Sequence, residues 1–253
     1  MSTPLAPSQG NLRFRQEVAD FWQFLQQPDL RRLPGRRTGS GLSSDWWPGL
    51  PFGRLFAWAC VLWALNFVAL GPIAVIAANS GGAAHRIDPA AIPWLTAILW
   101  APLIEEMLFR YGLRRPGQVL WVCPAMLPPL LWGAQGWTLA WVGMVIVLAC
   151  LPLRRGRIKR TGWKMEWRRY YRWRFPWVYH LSALVFAGVH LSNFRLTDSA
   201  YWMLPLLVLP QWSAGLVVGW MRVRRGIGAA MLLHGMFNAG PVLLIFLIMR
   251  WTT

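Results

Sequence analysis

Acidic residues are scarce in this chain. Nine Asp and Glu stand against 26 Lys and Arg in 253 residues, a net charge of +17. Such a balance would suit a nucleic-acid binder, but the basic residues cluster beside apolar runs. Basic residues at the ends of apolar segments act as topology signals and as contacts to anionic lipid. Nucleic acid is therefore not the expected partner, and membrane lipid is. Cysteine is scarce as well. Cys60, Cys123 and Cys150 all fall in apolar stretches and form no Cys-x-x-Cys pair, which argues against a disulfide framework or a thiolate zinc site. They read as small buried fillers. Lysine is nearly missing, with only Lys159 and Lys164 beside many arginines, a faint mark of a GC-rich bacterial genome. The first 50 residues lack the early apolar core of a cleavable signal peptide, because the first long apolar run begins near Pro51.

Apolar residues make up 56% of the chain, with 19 tryptophans and a mean hydropathy of +0.35. Runs of about 18 or more apolar residues are long enough to cross the hydrocarbon core. We place spans at roughly 55–78, 91–113, 118–134, 136–153, 175–192, 201–221 and 227–249. The expected fold is all-α, a polytopic transmembrane bundle of about seven spans (residues 51–253) with a polar cavity in the bilayer. Residues 1–50 form a basic cytoplasmic tail. Within the tail, Phe14, Val18, Phe21, Trp22 and Leu25 recur at helical spacing, which fits a helix lying on the membrane or docking against the bundle. The connections alternate in charge. Residues 154–174 hold ten Lys and Arg against Glu166, and Arg114, Arg115, Arg222, Arg224 and Arg225 follow the second and sixth spans. The connections near Asp88, Gln135 and Asp198 are charge-poor. This pattern puts the N-terminus in the cytoplasm of a bacterial inner-membrane protein. Gly215 and Gly219 form a Gly-x-x-x-Gly pair that allows close helix packing.

Ionisable side chains inside apolar segments cost roughly 2.5–3.5 kcal/mol each on insertion scales, so they face an interior and carry function. Three segments hold them: Glu105, Glu106 and Arg110 in one, His190 in a second, and His234 with Asn238 in a third. Glu106 and Arg110 are four residues apart and share a helix face. Glu105 is turned away by about 100° and escapes that pairing. An unpaired carboxylate in a low-dielectric site suits a general base, so Glu105 is the expected base, with Glu106–Arg110 fixing the helix. The competing reading makes both glutamates structural counter-ions. A lone histidine in an apolar helix is more often a packing residue than a ligand, but two histidines and a Glu-Glu pair in three helices weaken that reading. His180 and His85 receive no role.

In that order, each in its own helix, Glu105-Glu106-x-x-x-Arg110, Phe186-x-x-x-His190 and His234-x-x-x-Asn238 resemble the signature of the CPBP family of intramembrane proteases. That family includes the eukaryotic CAAX prenyl endopeptidase and the bacterial Abi-type proteins. The similarity covers about residues 90–249 and departs at no motif position. It implies a helical bundle around a water-filled cavity and hydrolysis of a peptide bond in a membrane-associated protein or peptide. Other intramembrane proteases fit poorly, since there is no His-Glu-x-x-His, Gly-x-Gly-Asp or Gly-x-Ser-x-Gly. Two mechanisms stand open. Glu105, His190 and His234 would suit zinc as a two-His-one-carboxylate set. Without metal, Glu105 and His190 would activate water while His234 and Asn238 stabilise the oxyanion, with no cofactor needed. Asn238 is a poor zinc ligand, which favours the second. A non-catalytic immunity or scaffold member of the family is the leading alternative. A proton-coupled transporter is weaker, because the two halves show no repeat.

One expectation conflicts with the rest. If residues 175–192 cross the membrane outward, His190 lies near the far end of its helix, on the order of 10 Å or more from the depth of Glu105. A helix that starts in the basic segment, or one that stops mid-bilayer, would remove the conflict.

Overall fold

The computed structural model describes residues 12–33, 43–47, 51–86, 92–151, 162–196 and 201–252. The sequence features at residues 154–161, Asp88 and Asp198 lie outside the described residues. The fold is helical almost throughout. A docked tail comprises α1 (Phe14–Gln26) and α2 (Ser43–Trp46), followed by a long apolar helix α3 (Phe52–Gly81). The Glu-Glu motif sits on a broken helix: a π-helical turn (Thr96–Trp100), a short α4 (Ala101–Glu105), a second π-helical turn (Glu106–Arg110) and a 3-10 turn (Tyr111–Leu113). Then come α5 (Val119–Trp132), α6 (Gly136–Cys150), α7 (Gly162–Val189), α8 (Leu204–Leu207), α9 (Leu209–Arg224) and α10 (Ile227–Thr252). The all-α expectation misses one feature. Two short strands, β1 (Ala83–His85) and β2 (Phe194–Leu196), pair antiparallel with Ala84 opposite Arg195, and tie the chain after α3 to the chain after α7. His85 stacks edge-on against Phe194 in this ladder.

Two helices, Phe52–Gly81 and Ile227–Trp251, are long and apolar enough to cross a membrane, and α8 with α9 add a third if their 46° bend lies within one span. The helix lengths do not establish the seven crossings. Pro124, Pro128 and Pro129 stand inside α5, which has 14 residues and reaches only about 21 Å against a hydrocarbon core of roughly 30 Å. α6 is similarly short, and the 91–113 segment is divided by its π-helical turns. A tight turn joins α5 and α6, with Gly133 at φ +72° and the Trp141 indole donating to the Ala125 carbonyl at 2.7 Å.

The burial pattern is inverted relative to a water-soluble protein. Leu120 is 87% exposed and Trp251 86%, while Glu17, Asp45, Glu106, Arg110, Arg222 and His234 are buried. Cys60 is exposed on α3 and is no buried filler; Cys123 and Cys150 are half-buried, and all three are free thiols. α9 packs on α7 through the expected Gly pair. A side chain at Gly219 would meet the Tyr179 ring at 3.0 Å, and one at Gly215 would meet Phe186 at 3.2 Å.

The tail docks on the bundle. On α1, Phe21 stacks edge-on against Trp58 and Trp220, and Phe24 against Tyr179. His180 bonds to the Leu25 carbonyl at 3.1 Å. The acidic residues of the tail meet the basic end of α9. Glu17 pairs with Arg225 at 2.7 Å, Asp20 and Asp29 with Arg224 at 2.9 and 2.6 Å, and Asp45 with Arg222 at 2.7 Å. The three arginines read from the sequence as topology-setting charges after the sixth span are therefore buried, charge-paired side chains.

The Asp45–Arg222 pair predicts an acid transition. Burial alone would raise the Asp45 carboxyl, but Arg222, with Arg32 and Arg115 near it, outweighs burial and holds it at about 2. An unfolded aspartate titrates near ~3.9. The pair's stabilisation is thus complete above about pH 4 and is lost as pH falls toward 2, amounting to about 2–3 kcal/mol. Melts of the wild-type and Asp45→Asn proteins should differ by this amount at neutral pH, and the gap should close below about pH 4. A gap independent of pH would contradict the ion pair.

Candidate active site

The site is built where the second π-helical turn, the end of α7 and the first half of α10 meet. A π-helical turn carries i→i+5 hydrogen bonds and is wider than an α-helix, a geometry frequent at functional sites. Here it spans Glu106–Arg110, directly after Glu105. Glu106 and Arg110 remain an i,i+4 pair, both fully buried. The same carboxylate oxygen of Glu106, Oε1, also accepts a hydrogen bond from His234 Nδ1 at 2.8 Å. The Arg110 guanidinium lies 3.9 Å over the Phe186 ring. That cation–π contact gives a desolvated charge a second partner.

His190 is the first residue of a 3-10 turn (His190–Asn193) that ends α7. Its Nδ1 donates to the Phe186 carbonyl at 2.8 Å. The depth conflict does not arise, because α7 begins at Gly162 in the basic segment and runs 28 residues, about 42 Å. His190 therefore reaches Glu105. With Nδ1 of each imidazole committed as a donor, Nε2 is left facing inward. His234 Nε2 lies 3.7 Å from Glu105 Oε2, and His190 Nε2 lies 3.9 Å from the same oxygen. Glu105 Oε2 is buried and forms no hydrogen bond within the protein. A buried polar atom without a protein partner is costly, so this oxygen and the two ring nitrogens form a polar niche.

Asn238 stands one turn beyond His234, but its amide donates to the Ala97 carbonyl at 2.8 Å. It makes no hydrogen bond to Glu105, His190 or His234. In the fold it pins α10 to the first π-helical turn. The role of Arg222 is invisible to a local reading. Its guanidinium donates to the carbonyls of Arg110 and Tyr111 at 3.1 and 3.0 Å while pairing with Asp45. It thus closes the end of the motif segment, whose carbonyls lose regular helical partners where the π-helical turn gives way to the 3-10 turn. The only sequence trace of this arrangement is that four of the few acids, Glu17, Asp20, Asp29 and Asp45, lie in the tail.

The donors of the niche have the chemistry for a water or a metal ion, although among the described residues no group of three or more His, Cys, Asp and Glu is placed to hold a metal as the side chains stand. Two ligands of a tetrahedral zinc at about 2.1 Å stand about 3.4 Å apart, and two partners of one water stand about 4.6 Å apart. The separations of 3.7 and 3.9 Å fall between these. The partners behind the imidazoles, Glu106 and the Phe186 carbonyl, are of the kind that orient metal-bound histidines, and they would serve a water-binding site as well.

An apolar-surfaced helical protein with acid, base and guanidinium groups gathered in its interior is an integral membrane protein. Residues 88–240 match the family described as type II CAAX prenyl endopeptidase Rce1-like, and this range holds every motif residue. The chain therefore belongs to that family, a branch of the CPBP intramembrane proteases. No curated protein and no solved structure matches it.

The two glutamates should separate in stability. Glu106→Ala leaves Arg110 buried and unpaired, a change that costs about 3–5 kcal/mol. Glu105→Gln removes no protein hydrogen bond of Oε2 and should stay within about 1 kcal/mol of wild type. Thermal melts in one detergent check both. Equal losses would contradict the division of labour.

Proposed function

We propose that this protein is an intramembrane endopeptidase that cleaves a membrane-associated protein or peptide, with Glu105 as the general base. The observation that supports this most is the convergence of Glu105 Oε2 with Nε2 of His190 and His234 around a buried niche without a protein partner. A water held there donates one hydrogen to Glu105 and one to an imidazole Nε2. Glu105 removes a proton as the water oxygen attacks the scissile carbonyl, and later returns it to the leaving amine. His190 positions the water, because its bond to the Phe186 carbonyl leaves Nε2 as an acceptor. His234 Nε2 is also an acceptor in the neutral ring, so it donates to the oxyanion only where the ring has taken a second proton from solvent before the attack, since the proton of the attacking water goes to Glu105. The Glu106 carboxylate behind it stabilises that imidazolium, as the carboxylate of a hydrolase triad does. Asn238 has a second amide N–H left for the oxyanion after bonding Ala97.

Zinc is the alternative for the same donor chemistry, reached only if the side chains shift, since no three of them are placed to ligate a metal among the described residues. Glu105, His190 and His234 would hold it, and it would supply a polarised water at neutral pH. In that case Glu106 and the Phe186 carbonyl orient the two imidazoles. The seven crossings, the cytoplasmic N-terminus and the bacterial inner membrane belong to this proposal too, supported by the loop charges. The family's description speaks of prenyl substrates; for this chain we propose the broader class of membrane-associated substrates.

The test compares membrane and secreted peptide termini from cells carrying wild type or Glu105→Ala at matched expression. The expected result is a set of precursors uncleaved in the mutant, with products down by about 10²-fold or more. Identical termini, unchanged also by His190→Ala, would overturn the protease reading in favour of a non-catalytic scaffold. Elemental analysis of the purified protein then separates the mechanisms. Stoichiometric zinc, lost in His234→Ala, supports the metal form, and full activity without metal supports the glutamate form.

A further inference from the structure

Outside the catalytic niche, two adjoining cavities run between the motif segment and the basic half of α7. One, of about 650 Å³, is lined by Arg114, Arg168 and Arg172 together with Trp167 and Tyr171. The other, of about 680 Å³, is almost wholly apolar, with Leu108, Phe109, Leu120, Trp177 and Leu181 among its walls. They share Leu113, Pro116, Trp167 and Tyr171, so they form one groove with a basic end and an apolar end. No acidic side chain lines either cavity among the described residues. Arg168 and Arg172 are exposed and form no ion pair among the described residues. Arg174, at the apolar cavity, lies over the Trp173 ring at 4.2 Å. Trp167, Tyr170 and Trp177 are exposed, as aromatic side chains at a membrane–water boundary are.

We propose that this groove binds one anionic phospholipid from the leaflet at the basic end of the bundle. Its phosphate would lie between Arg168 and Arg172, and an acyl chain would fill the apolar cavity. Charge complementarity selects the occupant, because the exposed guanidinium groups of Arg168 and Arg172, without an ion pair among the described residues, stand next to a cavity that only a hydrocarbon chain satisfies. A free phosphate would leave the apolar part empty, and a zwitterionic lipid would set its own cation against the arginines. The acyl chain would pack on Leu108 and Phe109, which belong to the π-helical turn that carries Glu106. Lipid binding would thus support the active-site segment from the side opposite Glu106, whichever reaction that segment performs.

Native mass spectrometry of the delipidated protein, titrated with phosphatidylglycerol or phosphatidylcholine of identical chains, tests the site. The expected result is a first phosphatidylglycerol adduct favoured by about tenfold or more. Each arginine removed from the Arg168→Gln/Arg172→Gln protein should cost about fivefold. The Arg13→Gln/Arg15→Gln protein, which loses two exposed arginines at the start of α1, should bind like wild type. Equal affinity for the two lipids would overturn the proposal. So would an equal loss in the α1 variant, which would show diffuse charge attraction. Displacement by glycerol phosphate would assign the arginines to a free anion, and displacement by a prenylated peptide would assign the groove to substrate; either result also overturns it.

Discussion

A single carboxylate oxygen, Glu106 Oε1, joins three parts of the structure. It pairs with Arg110 on its own π-helical turn and accepts the Nδ1–H of His234 from α10. Arg110 in turn lies over the Phe186 ring of α7, and the Phe186 carbonyl sets His190. A charge buried in a membrane protein survives only with partners, and here satisfying one buried charge orients both imidazoles. Glu105 is left with none of these bonds. That Glu105 stays outside this network of bonds supports the proposal that it is the general base.

The same requirement shapes the N-terminal tail. Arg222, Arg224 and Arg225 at the end of α9 are all buried, and each takes an acidic partner from residues 17–45. The tail is thereby an integral layer of the bundle. Through Asp45 and Arg222 it reaches the carbonyls of Arg110 and Tyr111, so its docking and the geometry of the motif segment are mechanically linked.

Much of the site was legible in the sequence because it is local chemistry. The i,i+4 spacing of Glu106 and Arg110, the rotation of Glu105 away from that pair, and the isolation of two histidines in apolar runs need no tertiary knowledge. The parts that were not legible depend on distance along the chain. Arg222 meets Asp45 across 177 residues and Arg225 meets Glu17 across 208, so each read as an ordinary loop charge. Asn238 looked free, but Ala97 claims its amide. The span count rested on hydropathy, which does not register that prolines in α5 and π-helical turns before and after α4 shorten or divide helices. The depth conflict at His190 came from starting a helix where apolarity starts, although arginine and tryptophan sustain α7 for several turns earlier.

The most direct test of this account is the protonation of the two ring nitrogens. The chain has four histidines, so ¹⁵N-histidine NMR of the purified protein, assigned by single His→Gln variants, can read each one. The account predicts that at neutral pH His190 and His234 both carry their proton on Nδ1, with Nε2 bare, and that Glu106→Gln disturbs His234 while Glu105→Gln does not. A proton on Nε2 of His190 would contradict it, because that nitrogen could then not accept a hydrogen bond from the attacking water.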